Sequence, residues 1–230
     1  QTSSLMQQMT QRLALSDAHF RRICQLIYQR AGIVLADHKR DMVYNRLVRR
    51  LRTLGLDDFG RYLSMLEANQ NSAEWQAFIN SLTTNLTSFF RESHHFEALA
   101  EYLQKHPRRN GPIRIWCSAA STGEEPYSLA ITAMEAFDSL RPPVQIIASD
   151  IDTGVLQTAA QGIYPLNRID PLSMARKKRF FLRDKGRQEG MVRVRDELRE
   201  LIEFQQINLL DPRWPIEPGL DVIFCRNVMI

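Results

Sequence analysis

Two short runs of small and acidic residues follow directly after predicted strands, and each has the composition of a nucleotide-binding loop. The first, residues 117–126 (CSAASTGEEP), ends a predicted strand and opens a predicted helix. Small side chains let a ligand approach the backbone, and the free N–H groups at the start of a helix favour polar or anionic groups. The second, residues 148–152 (ASDID), places Asp150 at the carboxyl end of the next strand, where doubly wound sheets bind ribose hydroxyls. Together the loops predict a nucleoside site.

The composition of the first loop excludes the commonest phosphate-binding motifs. Gly123 is its only glycine, so it is not a G-x-G-x-x-G fingerprint, and no Gly-Lys-Ser/Thr follows, so it is not a Walker loop. Glu124 and Glu125 would repel a pyrophosphate, which argues against NAD and nucleoside triphosphates and favours a ligand with hydroxyl or ammonium groups. Two plainer interpretations stay open. The first is that the loop at residues 117–126 is only a tight turn between a strand and a helix. The second is that an aspartate of residues 148–152 caps the next helix, a role that suits Asp152 better than Asp150.

The elements that must position these loops belong to an all-helical part and an α/β part. Apolar residues at helical spacing predict four short helices in roughly the first ninety residues, which form a small bundle. The second of these helices spans residues 37–54 and is expected to bury Leu54. Met65 lies on the expected apolar side of the third.

From about residue 111 the periodicity changes to alternating strands and helices, which is typical of a parallel sheet with right-handed crossovers. The predicted strands are 113–117 and 144–148, and the predicted helices are 124–137 and 153–161. A basic helix at 174–181 and strands at 191–195 and 201–204 then predict a small antiparallel insertion. Residues 221–225 resume the sheet. Because the sequence stops in the middle of this pattern, we expect the C-terminal part of the sheet to be missing.

The composition is that of an ordinary folded chain: 230 residues, 44% hydrophobic and 24% charged, with a net charge of +4. Three widely spaced cysteines without a C-x-x-C pair argue against a disulfide framework or a cysteine zinc site and fit the reducing cytoplasm. No apolar run approaches the ~18–20 residues of a membrane span, and we expect no direct membrane insertion. The net charge is too small to indicate a nucleic-acid partner.

Five blocks, in their order and spacing, resemble the bacterial chemotaxis receptor glutamate methyltransferases. They are residues 85–91 (NLTSFFR), 119–128 (AASTGEEPYS), 148–152 (ASDID), 208–210 (NLL) and 224–230 (FCRNVMI). The resemblance extends from about Ser16 to the end of the sequence. It implies a helical N-terminal domain (1–83), a linker that contributes to the cofactor site (84–98) and a Rossmann-like doubly wound methyltransferase domain (99–230) with a β-subdomain insertion within 163–207.

The activity that this resemblance implies is a protein-glutamate O-methyltransferase that uses S-adenosylmethionine (SAM) and releases S-adenosylhomocysteine (SAH). The implied cofactor-binding positions are Asn85, Thr87, Arg91, Glu125, Asp150, Asn208, Leu209, Arg226 and Asn227. Arg91 is also the expected catalytic residue, because its guanidinium fork matches an incoming carboxylate. Two alternatives stay open for Arg91: it holds the SAM carboxylate, or it forms a purely structural salt bridge between domains.

The implied reaction needs neither a general base nor a metal. A glutamate, with an ordinary pKa of about 4.3, is already ionised at neutral pH. In-line displacement at the sulfonium methyl carbon then depends on alignment and on removal of water from that carboxylate. We expect no metal site, since His94 and His95 are neighbours that should point in different directions. Trp116 and Trp214 are expected to pack the core rather than to stack on an adenine.

Three arginines of the second predicted helix could hold the substrate. Arg46, Arg49 and Arg50 fall at i, i+3 and i+4 and share one side of the helix. By itself such a run is usually a solvated face. The resemblance implies that it binds the acidic methylation helices of a receptor's cytoplasmic part. It also implies that the β-subdomain of some members captures the receptor's C-terminal tail by strand addition. We expect a cytoplasmic monomer.

Two other functions remain as alternatives. One is a SAM-dependent methyltransferase for RNA or a small molecule, although the aromatic residues typical of RNA platforms are not evident beside the basic helix. The other is a non-catalytic module that senses SAM or binds a receptor.

Overall fold

The computed structural model describes residues 13–106, 110–183 and 189–226, and the chain divides into two compact units between Thr83 and Thr84. We call residues 13–83 the N-terminal unit and the described residues from 84 onward the C-terminal unit. No helix in these described ranges is both long enough and apolar enough to cross a membrane.

The N-terminal unit is made of four α-helices, which confirms the predicted bundle. They are α1 (Asp17–Ala31), α2 (Arg40–Thr53), α3 (Phe59–Ala68) and α4 (Glu74–Leu82), with a 3-10 turn at Asp37–Lys39 before α2. Local signals explain their ends: the Ser16 side chain accepts the His19 N–H at the start of α1, and Gly32 adopts a left-handed conformation at its end. Each helix buries one apolar stripe, with Ile23, Leu47 and others fully enclosed.

Two apolar positions of this unit differ from their prediction. Leu54 is 39% exposed and Met65 is 37% exposed. Leu54 lies just beyond the last residue of α2, where the helical spacing that buries Leu51 no longer applies. Met65 lies at the edge of the α3 stripe, whose buried members are Phe59, Tyr62, Leu63 and Leu66.

The C-terminal unit contains a four-stranded sheet in the order β6-β2-β1-β7, and each adjacent pair is parallel. Its strands are β1 (Ile113–Cys117), β2 (Val144–Asp150), β6 (Ile202–Gln206) and β7 (Val222–Phe224). The helices of this part are α5 (His94–Lys105), α6 (Glu124–Phe137), α7 (Thr153–Gln161), α8 (Met174–Phe180) and α9 (Asp196–Glu200). The predicted α/β class is therefore confirmed.

A separate antiparallel sheet is formed by β3 (Ile163–Pro165), β4 (Phe181–Arg183) and β5 (Met191–Val194), in the order β3-β5-β4. It lies within the connection from β2 to β6, which confirms an antiparallel insertion. The assignment of residues 201–204 to this insertion is wrong. That segment is β6, which pairs in parallel with β2 from Ile146↔Ile202 to Asp150↔Gln206. Burial of Ile202 and Ile207 against the larger sheet favours this partner.

Candidate functional site

The candidate site lies at the carboxyl ends of β1, β2 and β7, which meet at one edge because these strands are parallel. The loop after β1 is fixed to both neighbouring strands: Ser118 N–H donates to the Phe224 carbonyl (3.0 Å) and Ala120 N–H donates to the Ser149 carbonyl (2.8 Å). Gly123 closes the loop with a φ of 103°. A Cβ at Gly123 would lie 2.6 Å from the Tyr164 hydroxyl, so only glycine fits this turn.

The two aspartates at the end of β2 have different roles. Asp152 is the N-cap of α7 and accepts the N–H groups of Gly154 (2.8 Å) and Val155 (3.1 Å), as predicted. Asp150 accepts the Ser121 N–H at 2.9 Å through Oδ2 and the Asp152 N–H at 3.0 Å through Oδ1. Burial raises the pKa of Asp150. Because a carboxylate has about four lone-pair sites, Asp150 keeps capacity to accept further hydrogen bonds.

The residue 85–91 block lies against the same part of the C-terminal unit. Asn85 Nδ2 is 3.5 Å from Asp152 Oδ2, and the Thr87 carbonyl accepts from Arg168 Nη1 at 3.4 Å. Phe90 donates its N–H to the Ser128 hydroxyl (2.9 Å) in α6. Arg91 is partly buried and donates from Nη1 to the Leu86 carbonyl (2.7 Å). One guanidinium nitrogen is therefore already bonded to the backbone of the same segment.

Arg226, directly after β7, lies between two carboxylates. Its Nη2 is 3.2 Å from Glu92 Oε2 and its Nη1 is 4.0 Å from Glu125 Oε2. Its side chain is only 10% exposed, and neither Nη atom has a hydrogen-bond partner among the described residues. The Arg226 charge holds the pKa of Glu92 below its usual value. Burial raises the pKa of Glu125 although Arg226 opposes the shift.

Glu124 and Glu125 are neighbours in sequence but have different surroundings. The Glu125 carboxylate has the Cys117 thiol 3.7 Å from its Oε1 and Arg226 Nη1 4.0 Å from its Oε2. Glu124 is fully buried, and its two carboxylate oxygens are 2.8 and 2.6 Å from the donating Thr122 hydroxyl. Burial raises the pKa of Glu124 as well. Only Glu125 therefore belongs with Arg226, a distinction that the sequence does not make.

The last predicted cofactor positions follow β6. Asn208 Oδ1 accepts the Leu210 N–H (3.0 Å), and the preceding residue, Ile207, donates its N–H to the Asp150 carbonyl (3.2 Å). Leu209 packs on the apolar cluster of Trp116, Ile147 and Ile207. Asn227 lies outside the described residues.

Two expectations about side chains are wrong. The His94 and His95 rings do not point in different directions: their centroids are 4.2 Å apart, and both lie near Glu92, which is 3.2 Å from His95 Nε2. We assign no metal to this cluster, because Arg226 contacts the same carboxylate and would repel a divalent cation. Trp214 is 46% exposed rather than in the core, although its ring lies 5.0 Å from that of buried Trp116.

The three arginines predicted to bind substrate occupy different environments in the N-terminal unit. Arg46 donates to the Thr83 carbonyl (2.7 Å). Arg50 forms a bidentate pair with Glu74 at 2.9 and 2.6 Å. Arg49 alone of the three is exposed. The i, i+3, i+4 spacing therefore groups the three residues correctly on the helix but does not show that two of them have partners within this unit.

The fully buried Glu124 leads to a stability prediction. A raised folded-state pKa means that the folded protein binds the proton more tightly than the unfolded chain, so stability falls as pH rises from the unfolded to the folded pKa. Glu124→Gln keeps a carbonyl oxygen for the Thr122 hydroxyl but removes this loss. We expect the variant to be at least as stable as the unchanged protein at neutral pH, with a shallower decline above the ordinary glutamate pKa. Urea unfolding of both proteins between acidic and neutral pH measures the free energy of unfolding at each pH.

The control for this prediction is Glu97→Gln, which alters an exposed glutamate of α5. Because its side chain is exposed, this change should alter stability at neutral pH by no more than about 0.5 kcal/mol. A large loss of stability in Glu124→Gln at neutral pH would show instead that the charged form of Glu124 stabilises the fold.

The fold and the edge of the sheet define the class: a doubly wound α/β domain of the nucleotide-binding type, with an acidic residue at the end of the second strand. Residues 85–230 match the family model "CheR methyltransferase, SAM binding domain", and residues 18–83 match "CheR methyltransferase, all-alpha domain". The chain belongs to the CheR methyltransferase family, and it is a SAM-dependent methyltransferase.

Curated relatives support the same assignment. The chain is 66% identical over 230 residues to the chemotaxis protein methyltransferase of Salmonella typhimurium, covering 100% of this chain and 78% of that protein. It is 60% identical over 228 residues to the Escherichia coli protein of the same name, covering 99% and 79%. It is 54% identical over 211 residues to chemotaxis protein methyltransferase 2 of Pseudomonas aeruginosa, covering 92% and 75%.

Proposed function

We propose that this protein transfers the SAM methyl group to glutamate side chains of chemotaxis receptors, forming methyl esters and releasing SAH. The relatives named chemotaxis protein methyltransferase support a chemotaxis substrate. A glutamate fits the site because an ionised carboxylate needs no base, and the arginines Arg91 and Arg226 attract anions. The same relatives and the family model do not favour the RNA, small-molecule or non-catalytic alternatives.

The observation that carries this proposal is the buried guanidinium of Arg226 beside Glu125. Nη2 has an ion contact with Glu92 (3.2 Å) and Nη1 with Glu125 (4.0 Å), but neither atom makes a hydrogen bond within the described ranges. Because buried donors without hydrogen bonds are costly, these two atoms favour a ligand with paired acceptor oxygens. The amino-acid end of SAM fits: its carboxylate would accept from Arg226 and its ammonium would lie near Glu125. We assign the ribose hydroxyls to Asp150, and the remaining cofactor contacts to Asn85, Thr87, Asn208, Leu209 and Asn227.

The role of Arg91 follows from this assignment. If Arg226 holds the SAM carboxylate, Arg91 is left to orient the carboxylate of the substrate. SAM supplies an electrophilic methyl group when bound. Arg91 Nη1 is already occupied by the Leu86 carbonyl, which fixes its side chain and leaves the rest of the fork for the substrate. A contact from Arg91 to only one oxygen of the substrate glutamate would orient this nucleophile. It would neutralise the carboxylate less than a bidentate salt bridge would.

The receptor is proposed to dock on the exposed basic side chains of α2. Arg49 and Arg52 are exposed there and would attract the acidic methylation helices of the receptor's cytoplasmic part. The outer strands of the small sheet, β3 and β4, offer edges to which a receptor tail could add a strand. Since every proposed cofactor contact comes from one chain, we expect a monomer, working in the cytoplasm where that receptor region lies.

The test of this proposal is a methylation assay with the full-length protein, labelled SAM and receptor membranes. We expect label on receptor glutamates that is released by base, as methyl esters are. The control is membranes whose receptor methylation glutamates are changed to alanine. Label on RNA or a small molecule instead would contradict the proposal, and SAM binding without any transfer would favour the non-catalytic module.

A further inference from the structure

Three buried side-chain atoms have no hydrogen-bond partner within the described ranges, and all three lie at the candidate site. They are Ser121 Oγ and the Nη1 and Nη2 atoms of Arg226. Ser121 belongs to the loop after β1 and Arg226 follows β7, and these two strands are neighbours in the sheet. Arg226 Nη2 still has the Glu92 carboxylate at 3.2 Å, whereas no partner is seen for Ser121 Oγ in the described part of the chain. Buried polar groups are nearly always paired, so this hydroxyl points to a ligand that pairs it.

Hydrogen bonds hold the backbone at Ser121 and at the residue before it, so the loop keeps the Ser121 side chain in one position. The Ser121 N–H donates to Asp150 Oδ2 at 2.9 Å, and the residue before it, Ala120, donates to the Ser149 carbonyl. Ser121 is only 8% exposed and has a positive φ of 49°, a conformation that costs a non-glycine residue free energy. The neighbouring Thr122 hydroxyl is satisfied by Glu124, whereas the Ser121 hydroxyl has no such partner in the described part of the chain.

We propose that the Ser121 hydroxyl is a further cofactor contact, which forms a hydrogen bond with bound SAM or SAH. The inference rests on the proposed SAM site and extends it to a residue outside the set expected from the sequence. Because Ser121 N–H and the ribose-binding candidate Asp150 are bonded to each other, one ligand can contact both side chains. A hydroxyl both donates and accepts, so it can serve any of the ligand's polar groups.

The test is titration calorimetry of SAH with the full-length protein and two variants, Ser121→Ala and Ser121→Gly. Both remove the hydroxyl, but only glycine relieves the positive φ. We expect both variants to bind SAH about 2- to 12-fold more weakly, the range for loss of one hydrogen bond to a ligand. Thermal unfolding should separate them, since Ser121→Gly should be at least as stable as Ser121→Ala.

The matched control is Thr132→Ala, which removes a buried hydroxyl whose partner is the Ser128 carbonyl within α6. It should lower stability without changing SAH affinity. The inference is overturned if the unchanged protein binds SAH and both Ser121 variants bind it equally well. It is also overturned if Ser121→Ala binds weakly and Ser121→Gly binds normally, because the backbone would then be the cause. If the unchanged protein does not bind SAH, the proposed function itself fails.

Discussion

Replacing Arg226 with alanine is expected to weaken SAM and SAH binding by at least about 100-fold, the largest effect that we predict for a single side chain. Two charge-assisted hydrogen bonds, each about 1.5–3 kcal/mol, would be lost with the guanidinium, and each tenfold in affinity corresponds to about 1.4 kcal/mol. The change also leaves Glu125 buried without its nearest cation, which raises its pKa further and weakens its hold on an ammonium group. Titration calorimetry with SAH measures the loss directly.

Two companion variants make this prediction specific. Arg226→Lys keeps the charge but not the fork, and we expect an intermediate loss of about 10-fold. Arg91→Ala should leave SAH affinity within about threefold while methylation falls, if Arg91 orients the substrate as proposed. SAH affinity that is unchanged in Arg226→Ala but lost in Arg91→Ala would reverse the two assignments.

The elements that carry the site could be predicted from the sequence where local signals decide them. The predicted bounds of β1, α6 and α7 agree with the structure, because an apolar run ends at a small-residue loop and Asp152 caps α7. For β6 the sequence pattern predicts the wrong sheet, since β6 pairs in parallel with β2. Its residues predict a strand, but its partner β2 is fixed by burial of Ile202 against residues that are distant in sequence.

The site residues show the same limit. The position of Asp150 at the end of a strand predicts its role, whereas Glu125 and Arg226 are implied only by the family resemblance; the structure places Glu125 and Arg226 4.0 Å apart. No comparable signal identifies Glu92 as the partner of Arg226, since that pair joins residues far apart in the sequence. Likewise, the spacing of Arg46, Arg49 and Arg50 places them together on α2, but only the packing of α4 shows which of them are already paired.

That packing leads to the second large effect: Arg50→Ala is expected to destabilise the N-terminal unit by about 2 kcal/mol. Arg50 binds both oxygens of Glu74, and the Tyr62 hydroxyl donates to the same carboxylate at 2.9 Å, so three helices meet at one charge. The Glu74 side chain is only 10% exposed, and removing Arg50 leaves this carboxylate without a counter-ion, with only the Tyr62 hydroxyl donating to it. Such losses cost about 3–5 kcal/mol when both partners are buried, and the partial exposure of Arg50 reduces this.

The control for this prediction is Arg49→Ala combined with Arg52→Ala, which alters exposed side chains of the same helix. Each surface change of this kind usually shifts stability by no more than about 0.5 kcal/mol, so the pair should shift it by no more than about 1 kcal/mol. If α2 docks the receptor, this pair should instead lower receptor methylation, most strongly at low salt, with SAH affinity unchanged. Urea unfolding, the methylation assay and calorimetry on the same samples separate the two effects.

The different environments of the α2 arginines decide which variants can test receptor docking. A combined alanine change at Arg46, Arg49 and Arg50 removes one exposed charge and two side chains that hold the N-terminal unit together. Its loss of methylation would therefore mix unfolding with loss of docking. If Arg50→Ala unfolds at the same urea concentration as the unchanged protein, the Glu74 pair is not structural. Arg50 is then available to the receptor, and a substrate-binding role for Arg46, Arg49 and Arg50 together is the better account.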